Sequence, residues 1–203
     1  MTALPSDPLA DQLAHHLAIY NFGLHVAAYD DPAVRGFVSR EPLNFEAAAR
    51  AEGYIGRSGY AGEPGPESWG VQAFPRFIAG SGFTSGPSSL SLWQDIETLM
   101  AFSYSGVHAE ALKNARAWNI KQTWPPLVLW WVPAGTRPEW SDGVSRLEHL
   151  AEHGASPDAF TFKQAFSPDG APYSPDRSRM KALVAENLSR QQDLLHLLTS
   201  ISV

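Results

Sequence analysis

Four short apolar runs, at residues 17–26, 54–60, 89–93 and 127–132, are separated so that a helical stretch follows the first and another follows the third, and this interleaving restricts the fold more than any other feature. Each run is rich in aromatic or β-branched residues and is bounded by Gly, Pro or Asp, as strands are. After the first run, Asp30-Asp31-Pro32 supplies an N-cap and a first-turn proline. A helix is expected from there to about Glu52, kinked at Pro42 and closed by Gly53. After the third run, Asp95 caps a second helix expected over residues 96–121, stopped by Pro125-Pro126. The resulting order, β-α-β-(loop)-β-α-β, is that of an α+β chain with the split βαβ arrangement called ferredoxin-like, carrying additions.

The additions are an insertion and a tail. Residues 61–89 are rich in Gly, Pro and Ser but also hold Trp69, Phe74, Phe77 and Phe83, a mixture expected of a partly ordered lid. A helix is expected over 140–153, where Val144, Leu147 and Leu150 fall at helical spacing and Gly154 is a suitable terminator. A strand is expected over 159–166 because its phenylalanines alternate, then a turn-rich spacer over 167–175. Residues 176–200 read as an amphipathic helix that needs a surface to cover, on its own domain or on a partner. The organisation expected is an arm at 1–16, one domain over 17–166 with its insertion at 61–89, and a linker with a C-terminal helix over 167–203.

Charge and composition remove several function classes. A net charge of −6 without clustered Lys and Arg gives no footprint for nucleic acid or an acidic membrane surface. The absence of cysteine excludes disulfides, thiol catalysis and thiolate metal sites, and fits a reducing compartment. The first residues carry Pro5, Asp7 and Pro8 where a signal peptide would carry positive charge and an apolar run. The longest apolar run, 127–132, falls far short of the roughly 20 residues of a membrane helix. A cytoplasmic protein with no membrane partner is expected.

On a helical wheel of about 100° per residue, Met100, Tyr104, Val107, His108, Ala111, Ala115 and Trp118 share one band of the 96–121 helix. A histidine there faces space left by two alanines, where it can ligate a metal-bearing group or move a proton. The alternative is an imidazole hydrogen-bonded to a backbone carbonyl or to Tyr104. Trp93, Trp118, Trp130 and Trp131 either line a pocket or serve packing, with Trp130 and Trp131 on opposite faces of their strand. His149 and His153 have metal-ligand spacing but no third ligand. Neither the dinucleotide fingerprint nor a nucleophile elbow is present around Gly80–Gly86.

Ser91-Leu-Trp93, Leu99, Phe102, Tyr104-Ser105, His108, Arg116-Ala-Trp118, Leu129-Trp-Trp-Val-Pro-Ala-Gly135, Arg137-Pro138, Arg146-Leu-Glu-His-Leu150 and Ala159-Phe-Thr-Phe162 together resemble a bacterial family of unknown function, domain of unknown function 3291, within the dimeric α/β-barrel superfamily. The resemblance covers roughly residues 17–166. It implies a ferredoxin-like protomer whose open sheet face pairs with a second copy, giving a homodimer. The superfamily includes cofactor-free monooxygenases, haem-degrading oxygenases and proteins without known activity, so haem and no cofactor at all are equally open. The place of His108 is similar to that of the axial histidine in haem-degrading members. By that likeness His108 is axial ligand or acid/base and Tyr104 its hydrogen-bonding partner. Asn21, Trp93, Ala111, Trp118 and Trp130 would then hold a small hydrophobic or aromatic ligand between helices and sheet. The rival expectation is a non-catalytic dimeric binding or scaffold protein. Gly56, the 61–89 insertion and the tail after Phe166 depart from the family pattern.

Overall fold

The computed structural model describes residues 14–201. The expected arm at 1–16 lies mostly outside the described residues, and its last two members begin the first strand, β1 (His15–Phe22). The Asp31 side chain accepts from the Ala33 N–H and Pro32 opens a 3-10 turn, which leads into α1 (Arg35–Arg50), running through Pro42 rather than ending there. Gly53 then reverses the chain at φ +74°, with Thr98 so close that a Cβ would lie 2.4 Å from its Cγ2. β2 (Tyr54–Arg57) follows, with a register irregularity between Tyr54 and Gly56.

β3 (Ser88–Trp93) leads to Asp95, which forms a reciprocal capping box with Thr98 and starts α2 (Ile96–Ser103). The single helix expected over 96–121 does not form. Gly106 adopts φ +56°, packed so tightly that a Cβ would meet Gln191 Oε1 at 2.2 Å, and a separate helix, α3 (Gly106–Trp118), sets out in a new direction. β4 (Leu127–Pro133) and α4 (Trp140–His153) match expectation, with Gly154 ending the helix at φ +80°. The expected strand over 159–166 is instead a chain of tight turns. Phe160 exchanges two backbone hydrogen bonds with Leu129, of 2.8 and 2.9 Å, and so caps the outer edge of β4. Turns at Ser156–Ala159 and Thr161–Gln164 flank it, and only the short pair β5 (Ala165–Phe166) and β6 (Pro172–Tyr173) remains as ladder. The tail divides into α5 (Arg177–Arg190) and α6 (Gln192–Leu198) at the buried Gln191, whose Oε1 accepts from the Val107 N–H.

The fold is mixed α+β, built on an open four-stranded antiparallel sheet in the order β2-β3-β1-β4, and the chain by itself closes no barrel. Alternation along the strands separates two cores. One face presents Leu17, Ile19, Trp93 and Leu129 to Ala47 and Ala48 of α1 and to Ile96, Leu99 and Phe102 of α2. The other presents Ala18, Tyr20, Leu90 and Trp130 to Trp140, Leu147 and Leu150 of α4. Trp69, Phe74, Phe77 and Phe83 of the insertion complete that second core.

The insertion is therefore a layer of the core with its own anchors. Gly59 donates to the Glu67 carbonyl at 2.9 Å, an approach in which a Cβ at Gly59 would lie 1.7 Å from Pro66 O. Ser58 Oγ accepts from the Trp69 N–H at 2.8 Å, the Trp140 N–H donates to Trp69 O at 3.3 Å, and Arg76 pairs with Glu148 and Glu152 of α4. The tail docks on its own domain: the buried Glu97 accepts from Tyr173 Oη at 2.6 Å, from the Asp176 N–H at 2.9 Å and from Arg179 at 3.4 Å. Among the described residues, no helix is long and apolar enough to cross a membrane.

Candidate functional site

The residues singled out by sequence do not converge. Because the chain turns at Ser105-Gly106, Tyr104 swings out of the band shared with His108 and is 56% exposed, resting edge-on against Phe162. His108 is partly buried in the first turn of α3, with Nδ1 2.8 Å from the Ser103 carbonyl oxygen. Burial holds its pKa below the ordinary histidine value, so the imidazole is neutral with its proton on Nδ1, the only tautomer that can donate to that carbonyl. Trp93 is fully buried, donates to Ser91 Oγ at 3.0 Å and stacks on Phe102, which in turn packs 4.9 Å from the His108 ring.

Trp118 is buried under the Arg40 guanidinium and against Gly36, where a Cβ would come within 2.5 Å of its Nε1. Ala111 is half-buried on α3. Trp130 lies on the opposite face of the sheet beneath Arg146, while Trp131 on the helix side donates to the Phe166 carbonyl at 2.7 Å. Asn21 uses its amide both ways on its cross-strand neighbour Ser89. Since Leu17 pairs with Trp93 and Asn21 with Ser89, the last two candidates stand four residues apart along the ladder, roughly 13 Å. Phe102 packs against the His108 ring and is itself stacked on Trp93, so the aromatic neighbours of the imidazole belong to the core. The His149 and His153 rings lie 4.6 Å apart, tilted by 49°, and among the described residues no group of three metal-ligating side chains occurs.

A cleft of about 800 Å³ opens elsewhere, around the outer edge of β2. α1 contributes Phe45 and Glu46 to one wall, and Leu92 and Trp69 form the other beneath the second face of the sheet. Gly56 sits between the walls, where a Cβ would only reach ordinary contact, 3.7 Å, with Trp69 Cζ2. The missing side chain thus leaves room beside the edge of the buried Trp69 ring. Arg57 lays its guanidinium 3.7 Å above the Phe45 ring and donates from Nη1 to the Ser58 carbonyl at 3.0 Å. Glu46 is engaged by Arg50 at 2.8 Å and Glu67 by Arg137 at 3.4 Å. His16, at the rim, is held toward its neutral form by burial.

None of the seven residues expected at a site borders this cleft. Two signals in the sequence pointed toward it: a glycine interrupting a strand at Gly56, and a tryptophan set among Gly and Pro at Trp69. Neither names a cleft alone, since its lining comes from six separate stretches of chain.

No curated protein and no solved structure matches the chain. Residues 16–176 match a family described as a domain of unknown function (DUF3291), and the match takes in the whole four-stranded sheet, the 61–89 segment and the chain up to the start of α5, beyond the Phe166 limit expected from sequence. With most of its length inside that match, the chain belongs to the DUF3291 family.

Proposed function

We propose that this chain is a small-molecule-binding protein that takes a hydrophobic or aromatic ligand in the cleft at the β2 edge, not between helices and sheet. The observation that carries the reading is the pocket itself: its volume lies in the range of small-molecule sites, and Gly56 leaves room at its floor, where a Cβ would meet only Trp69 Cζ2. Both carboxylates at its rim are held by arginines, so binding is the chemistry best supported. The sheet order β2-β3-β1-β4, with α1 and α2–α3 as the two crossovers, supports a ferredoxin-like protomer. A homodimer of such protomers would use a surface other than the sheet, because α4 and the insertion already cover the face that an undecorated protomer leaves open.

The test is titration with the neutral fluorophore N-phenyl-1-naphthylamine. Saturable binding near one per chain, weakened roughly tenfold or more by Gly56→Leu and unchanged by His108→Ala, is expected. Binding lost in His108→Ala but kept in Gly56→Leu would return the site to the helix–sheet interface. No binding to the wild type would leave the scaffold reading.

A further inference from the structure

We propose that Arg57 is an anion receptor and that the cleft takes an amphipathic organic monoanion, a carboxylate or its sulfonate equivalent on an apolar body. This rests on reading the β2-edge cleft as the ligand site. Among the charged groups that border the cleft, Glu46 and Glu67 each have an arginine partner, and Arg137 is engaged by Glu67. Arg57 has no carboxylate within ion-pair distance among the described residues; its guanidinium lies over the Phe45 ring, donates to the Ser58 carbonyl and packs its Nη2 beside Gly65. Stacking on the ring fixes the plane of the guanidinium, and one of its five N–H groups is committed to Ser58, which leaves donors in a set orientation for a planar oxyanion.

The charge balance selects the sign and number of ligand charges. Glu46 shares Arg50 with Asp193 and Glu67 meets Arg137 at the exposed rim, whereas Arg57 has no carboxylate within ion-pair distance, so a single anionic group on the ligand would find its partner there. His16 adds no second positive charge near neutral pH, because burial favours its neutral form. The walls select the remainder. The exposed Ile55 and the half-buried Phe45 and Tyr54 present apolar surface, and the space over Gly56 admits a flat or extended hydrophobic body. One anionic head and one apolar body are what this arrangement recognises.

The experiment compares 1-anilinonaphthalene-8-sulfonate with N-phenyl-1-naphthylamine, which share a body and differ in the anionic group, on wild type, Arg57→Gln, Arg57→Lys and Gly56→Leu, each checked for folding by circular dichroism. The sulfonate is expected to bind about tenfold more tightly than the neutral probe. Arg57→Gln should remove that advantage, weakening the sulfonate about tenfold more than the neutral probe, Arg57→Lys should keep part of it, and Gly56→Leu should weaken both. If Gly56→Leu weakens both probes while Arg57→Gln changes neither, the cleft stands and the anion receptor is overturned. If Gly56→Leu alters neither probe, or neither binds, the cleft reading fails and the inference falls with it.

Discussion

The Nδ1 of His108 lies 2.8 Å from the carbonyl oxygen of Ser103, so the first turn of α3 is tied by an imidazole to the last residue of α2. The histidine spans the break between two helices. Phe102 packs 4.9 Å from its ring and is in turn stacked on Trp93. Haemin titrated into the protein is therefore expected to give no saturable Soret shift that His108→Ala abolishes. A shift lost in that variant would show that the aromatic packing opens to admit a porphyrin.

The same burial makes stability depend on pH. His108 and His25 both have folded-state pKa values lowered below the ordinary 6.5, chiefly through burial. Above that value neither the folded nor the unfolded chain binds the proton and the stability is complete. As pH falls below it, the unfolded chain takes up protons that the folded chain refuses, so stability declines. The urea midpoint should drop between pH 7.5 and pH 5.5, and His108→Gln should flatten part of that decline. An unchanged slope in the variant would assign the effect to other groups.

Gly106 is expected to be the most sensitive glycine among those with positive φ near the tail. Gly106→Ala adds strain at φ +56° and forces a methyl to within 2.2 Å of Gln191 Oε1, the acceptor for Val107. A loss of about 2–3 kcal/mol in urea unfolding is expected. Gly80→Ala, at φ +76° with nothing within 4 Å of the added carbon, should cost only about 1 kcal/mol. Equal losses at the two sites would mean that backbone strain alone matters.

What was legible in the sequence follows from how local each feature is. β4 reads directly from Leu127–Pro133 because six apolar residues closed by proline admit little else, and α2 reads from the Asp95–Thr98 capping pair. The break at Ser105-Gly106 was hidden because a glycine within a helical pattern is tolerated; what enforces the turn is Gln191, 85 residues downstream. The wheel that grouped Tyr104 with His108 assumed one continuous helix and failed with it. The insertion's aromatics signalled order, but their destination depends on which sheet face α4 leaves partly bare. The cleft was the least legible. Gly56, Arg57, Trp69 and Phe45 are ordinary in their own segments and meet only after the 61–70 turn folds back onto Ser58 and Gly59.

One buried carboxylate gathers several of the contacts that hold the tail to the domain. Glu97 is 1% exposed and accepts from Tyr173 Oη, the Asp176 N–H and Arg179, groups that flank the entry into α5. Glu97→Ala leaves these donors unsatisfied, while Arg179 keeps its 2.5 Å contact with Asp95. A loss of about 2–3 kcal/mol is expected, as is typical of removing hydrogen bonds to a buried charge. The loss should be local before it is global. Limited proteolysis should cut the variant within 167–176, ahead of α5, at protease levels that leave the wild type whole. Uniform cleavage across the chain would mean instead that the sheet and tail unfold as one unit, and that Glu97 stabilises the whole domain rather than the docking of its last two helices.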